Sequence, residues 1–135
     1  MGDLAKNFST SEFVCRHCEK VIIAPTLITA LQLLRDQVGV PIDVISGYRC
    51  PAHNHAVGGK GTSQHLFGTA ADIMIQGMSV AKMYTAAAQI SLFSRGGIGI
   101  YPDRGFIHVD VRPIRARWGQ LNGQYVSLAE AMQAA

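Results

Sequence analysis

Two histidines and an aspartate, His65, Asp72 and His108, stand in stretches otherwise built mostly from small and apolar residues, SQHLFGTAADI and FIHVDV. Polar side chains in such settings need partners, because an unpaired polar group among apolar neighbours is costly. Gly68 lies between His65 and Asp72 and permits a tight turn that returns the histidine to the side of the aspartate. On an extended chain alternate residues share a face, so Asp72 aligns with Met74, and Phe106, His108 and Asp110 point together while Ile107, Val109 and Val111 point away. Two imidazoles and a carboxylate suit Zn²⁺. A catalytic zinc takes three protein ligands and keeps a fourth position for water, and His65, Asp72 and His108 would make such a set. A lone histidine in an apolar stretch is usually an ordinary hydrogen-bonded residue, but three donors at this spacing point to a metal.

The pattern S-x-H-x-x-G-x-A-x-D is filled by Ser63, His65, Gly68, Ala70 and Asp72; SGYR precedes it and a strand carrying a histidine follows. In these features the chain resembles the zinc D-alanyl-D-alanine peptidases of bacterial walls and phages, a family that includes D-Ala-D-Ala carboxypeptidases and dipeptidases, L-alanyl-D-glutamate endolysins and murein endopeptidases. The resemblance runs from about Phe8 to Trp118. It implies a hedgehog/DD-peptidase type of fold, zinc held by His65, Asp72 and His108, and peptidoglycan or its peptides as substrate. It also implies that Arg49 holds the scissile carbonyl or its oxyanion, and makes Ser63 a candidate for hydrogen-bonding substrate. Many relatives carry Glu or Asp three positions before the second ligand histidine, where this chain has Gly105. Asp110 is the expected replacement as general base, because its place two residues after His108 turns it to the metal face. Asp103, in the turn PDRG, comes second, against the plainer role of initiating that turn. The hedgehog signalling domain shares the fold and keeps a similar metal site while working by binding. A zinc-containing wall-binding or structural module without turnover is therefore the alternative to a metallopeptidase.

Three cysteines are too few for a disulfide framework. CRHC (Cys15, Cys18) and CPAH (Cys50, His53) together have the spacing of a closed structural zinc site, with His17 able to replace His53. The competing readings are a Cys15–Cys18 redox pair and buried thiols acting as small hydrophobes. His55 and Lys60 could line a substrate cleft, although solvated loop positions account for them as well. Trp118 could stack on substrate or complete the core, and Arg112, Arg115 and Arg117 could face an anionic polymer or form a solvated rim. Tyr48, at a strand end, would face away from Arg49.

The elements that must position these groups are legible in outline. Pro25–Val38 reads as a helix from the spacing of Leu27, Leu31, Leu34 and Val38, with Pro25 in its first turn and Gly39 ending it. Ile42–Ser46 reads as a strand, followed by a long functional loop, then a strand at Ala70–Ile75 and a helix from the cap Ser79 through Ile90. Strands at Gly97–Tyr101 and Phe106–Val111 flank PDRG, and the tail Gly119–Ala135 holds a short strand and a small helix capped by Ser127. The fold class is α+β, a small antiparallel sheet with the metal site on one face and helices on the other.

The bulk properties fit. At 135 residues, one domain can bury roughly two thirds of its unfolded surface without disulfide staples. With 48% hydrophobic and 16% charged residues the chain is no disordered polymer. Its net charge of +3 is spread out, with no basic run interleaved with aromatics, so nucleic acid is not an expected partner. No stretch is long and apolar enough to span a membrane, and MGDLAKNF lacks the features of a signal peptide. The expectation is a protein made in the cytoplasm that acts on the cell wall, phage-encoded or released by another route.

Overall fold

The computed structural model describes residues 2–57 and 63–135, so Lys60 lies outside the described residues. Apolar periodicity builds the first long element, α1 (Pro25–Val38). Leu27, Leu31 and Leu34 recur on one face and are fully buried, and the helix ends at Gly39. Each buried leucine contributes on the order of 1.5–3 kcal/mol.

Six strands form one sheet in the order β1-β2-β4-β3-β5-β6: β1 (Ile42–Ser46), β2 (Ala70–Ile75), β3 (Gly97–Tyr101), β4 (Phe106–Asp110), β5 (Ala116–Leu121) and β6 (Gln124–Val126). Neighbours are antiparallel except β3 and β5, which run parallel. Alternation sends Ala71, Ile73, Ile98, Ile100, Ile107 and Val109 into the core. There α3 (Val80–Ala88) and α4 (Ser91–Ser94) pack on β3 and β4, α1 packs on α3 and α4, and α5 (Leu128–Gln133) packs on β5 and β3. The opposite face is left to the polar residues. This is the α+β arrangement expected from the sequence.

Three details differ from that expectation. The segment after β1 contains α2 (Pro51–Ala56) and a 3₁₀ turn (Gln64–Phe67), and the Cys50 thiol caps α2 by accepting the His53 N–H. The helix after Ser79 stops at Ala88, because Ile90 turns extended and buries its side chain before α4 begins. The tail region carries two strands rather than one. Asn122 and Gly123, both at positive φ (52° and 78°), join β5 to β6 as a tight hairpin turn.

Candidate metal centre

Sheet register assembles the centre. Ser46, Asp72, His108, Gly99 and Trp118 lie opposite one another along a single row across β1, β2, β4, β3 and β5. Side chains directly opposite on neighbouring strands stand close enough to interact, so Asp72 and His108 meet by pairing alone.

His65 arrives from outside the sheet, on the 3₁₀ turn. Ser63 Oγ accepts the His65 N–H at 3.3 Å, and Gly68 closes the turn at φ 71°. A Cβ on Gly68 would collide with the Ile22 carbonyl as well as adopt a left-handed backbone, so glycine is required twice over. The turn brings His65 Nε2 to 3.3 Å from Asp72 Oδ1, and His108 Nδ1 lies 3.2 Å from the same oxygen.

The far nitrogens fix the tautomers. His65 Nδ1 is 2.6 Å from the Gly47 carbonyl oxygen, which can only accept, so Nδ1 carries the proton and Nε2 presents a lone pair. His108 Nε2 donates to Asp110 Oδ2 at 2.6 Å, leaving Nδ1 free toward Asp72. Two imidazole lone pairs and a carboxylate oxygen, all buried and all within 4.8 Å of one another, form a donor set that fits zinc with a fourth position open.

The titration of these groups follows from burial and from their closeness. Burial opposes ionisation of Asp72, but the imidazoles of His65 and His108 against it hold its carboxyl well below the usual range. Burial pushes His65 down, more than Asp72 lifts it. Burial also opposes the charged form of His108, yet the hydrogen-bonded Asp110 and the nearby Asp72 carry it upward overall. Asp72 Oδ2 accepts Arg49 Nη2 at 2.9 Å, while Arg49 Nε reaches Ser46 Oγ at 3.2 Å and Nη1 reaches Asn54 Oδ1 at 3.4 Å.

Asp110 shares the face with His108, as alternation requires, but its carboxylate is fully buried beneath the imidazole. Oδ1 accepts the N–H of Gly97 at 2.8 Å and that of Arg112 at 3.1 Å, and Oδ2 accepts His108 Nε2 and, at 2.7 Å, Arg112 Nη2. A Cβ at Gly97 would strike this carboxylate, so the glycine makes its room. Burial would raise Asp110, and the hydrogen bonds from His108 and Arg112 outweigh it and hold the group well below the usual range.

A cleft of about 610 Å³ opens over the row, lined by His65, Asp72, His108, Arg49 and Ser63 together with an aromatic wall of Tyr101, Phe106, Trp118 and Tyr125. Arg16, Arg49, Arg104 and Arg112 also line it, whereas Asp72 is the single carboxylate among its described lining residues. His53, on α2, faces the cleft, with its pKa lowered by burial and by Arg49; His55 is exposed. Asp103 lies outside, exposed in the β3–β4 turn, where Oδ2 accepts the Asn122 N–H at 3.1 Å. Gly105, at φ 77°, closes that turn, so no carboxylate stands three positions before His108. Cys15, Cys18 and Cys50 form a second group, their sulfurs within 4.8 Å of one another.

Trp118, open to either reading in the sequence, packs its ring 4.9 Å from that of His108 and donates Nε1–H to Tyr101 Oη at 3.2 Å. Tyr101 was not singled out by sequence reasoning. Its phenol is pushed up to about 12 by burial, so it keeps its proton at neutral pH. The signal was present in GIGIY, where Ile98 and Ile100 are core and Tyr101 is the first side chain after two glycines on the site face.

The sequence model of the family described as Peptidase M15 matches residues 5–110. The peptidoglycan L,D-endopeptidase MepK of Escherichia coli strain K12 is 32% identical over 100 residues, covering 69% of this chain and 53% of that protein. The probable peptidoglycan L,D-endopeptidase MepK of Haemophilus influenzae is 37% identical over 79 residues, covering 55% of this chain and 41% of its own. The chain thus spans about half the length of the curated relatives it matches.

Proposed function

The chain belongs to the peptidase M15 family, and from that premise we propose that it is a zinc-dependent metallopeptidase that hydrolyses a peptide bond in peptidoglycan stem peptides or cross-links. The observation that carries this reading is the donor set itself: His65 Nε2, His108 Nδ1 and Asp72 Oδ1 converge, with both remaining imidazole nitrogens committed to proton acceptors. Zinc held there would polarise a peptide carbonyl and lower the pKa of water toward neutrality.

The chain's own residues supply the rest. Arg49, anchored on Ser46 and Asp72 at the cleft wall, presents positive charge where negative charge develops on the carbonyl oxygen. Tyr101 retains its proton and accepts from Trp118, so its own O–H is available to the oxyanion or the leaving amine. Asp110 orients His108 rather than taking a proton from water, since its oxygens are occupied and buried. With no free carboxylate among the described lining residues, His53, a neutral imidazole on the wall, is the group assigned to accept that proton. Ser63 holds the His65 turn through its oxygen and keeps a hydroxyl proton for substrate.

The surplus of arginine in the cleft favours a substrate rich in carboxylates, as stem peptides are. A bond between an L- and a D-residue is the proposed target, by analogy with the relatives named L,D-endopeptidases. The test is digestion of purified peptidoglycan with zinc-loaded wild type and His65→Ala, with mass analysis of the soluble products. Release of peptide fragments by wild type alone supports the enzyme. Metal binding without any release would favour the non-catalytic binding module.

A further inference from the structure

The metal centre and the cleft leave the three cysteines unused. Packing does not explain them: Cys15 is buried, but Cys18 and Cys50 are partly exposed. All three are free thiols, and their sulfurs lie within 4.8 Å of one another although Cys50 is far from the other two in sequence. Two backbone donors already point at sulfur, Cys50 N–H to Cys15 Sγ and His53 N–H to Cys50 Sγ, each at 3.4 Å. Such contacts stabilise thiolates, the form that binds metal. The turn carrying Cys15 and Cys18 is closed by Cys15 N–H to the Lys20 carbonyl at 2.7 Å and Glu19 N–H to the Cys15 carbonyl at 2.9 Å. A fourth donor adjoins the group, since His17 Nδ1 lies 3.5 Å from Cys50 Sγ. The His53 ring stands behind it, 6.3 Å from that of His17, and faces the cleft.

We propose that Cys15, Cys18 and Cys50, with His17 as fourth ligand, bind a second metal ion of the zinc type in a closed structural site. Thiolates and imidazole select a borderline-soft divalent ion, and four protein ligands leave no position for water. A redox pair is the poorer account, because a third sulfur lies within 4.8 Å of both members of the pair and Cys15 and Cys18 occupy a turn rather than a helix start. The site would clip the N-terminal segment to the corner between β1 and α2. That corner supplies the Gly47 carbonyl on His65 and carries Arg49, so the second ion would brace the first centre without entering its chemistry. The existence of the site does not depend on the peptidase reading.

Elemental analysis and cobalt substitution of the whole chain test it. Wild type should hold two metal equivalents, and His65→Ala and Cys18→Ser one each. After cobalt loading, the intense sulfur-to-cobalt absorption should persist in His65→Ala and vanish in Cys18→Ser. Should Cys18→Ser not fold, thiol titration of the wild type serves: three thiols that react only after a chelator is added support the site. Immediate reaction of all three, a wild type that holds only one equivalent and loses it entirely in His65→Ala, or a Cys15–Cys18 disulfide in the protein as isolated would overturn it.

Discussion

At the scale of single residues, the site depends on which nitrogen of each histidine is left free. Gly47 and Asp110 make that choice, one with a main-chain carbonyl and one with a carboxylate. Asp110→Asn should therefore weaken zinc binding about 10–100-fold, as loss of an outer-shell partner does. Competition with a chelator measures this; unchanged affinity with abolished hydrolysis would return Asp110 to the role of base. Tyr101→Phe should act differently, lowering kcat by about 10²-fold while zinc content stays at wild-type level. Steady-state kinetics on a stem-peptide substrate separates the two, and a rise in KM alone would show that the phenol only binds. That His65, Asp72 and His108 come together was legible in the sequence, because spacing and alternation expose it. The burial of Asp110 was not, since alternation gives a face but not whether a carboxylate is open or covered.

At the scale of elements, precision comes from register and from one turn. Pairing across β2, β4 and β3 sets Asp72 against His108 and leaves glycine opposite it, so a one-residue slip would turn Asp72 or His108 into the core. The turn that delivers His65 tolerates only glycine at position 68. Gly68→Ala should destabilise the fold by at least about 1–2 kcal/mol from the backbone alone, with loss of zinc following from displacement of His65. Thermal unfolding and metal content measured together test this, and an unchanged melting temperature would contradict it. The long elements were readable because Leu27, Leu31 and Leu34, or the alternation in FIHVDV, repeat a period. Among the elements missed, α2, the 3₁₀ turn, α4 and β6 are too short for a period. They are fixed by particular bonds such as the Cys50 cap or by the Asn122-Gly123 turn, whose dipeptide did signal a hairpin.

At the scale of the whole molecule, one face of the sheet supplies stability and the other spends some of it on buried charge. Asp72 and Asp110 both titrate below their ordinary value of 3.8 when folded. A carboxylate with a depressed folded pKa stabilises the protein above its unfolded value and loses that contribution as pH falls toward the folded one. Metal-free protein should accordingly lose stability as pH drops below about 4, and Asp110→Asn should flatten that decline. Calorimetry across acid pH in the presence of a chelator checks the slope; identical slopes in both proteins would contradict the assignment. The cleft over the row, with its arginines and its aromatic wall, is the property of the assembled chain that gives the proposed chemistry a substrate. The most direct measurement is therefore mass spectrometry of the fragments released from purified peptidoglycan by the zinc-loaded protein. The expected products are peptides cut at a bond between an L- and a D-residue, absent with His65→Ala. Intact peptidoglycan after incubation with protein shown to hold zinc at this centre would contradict it.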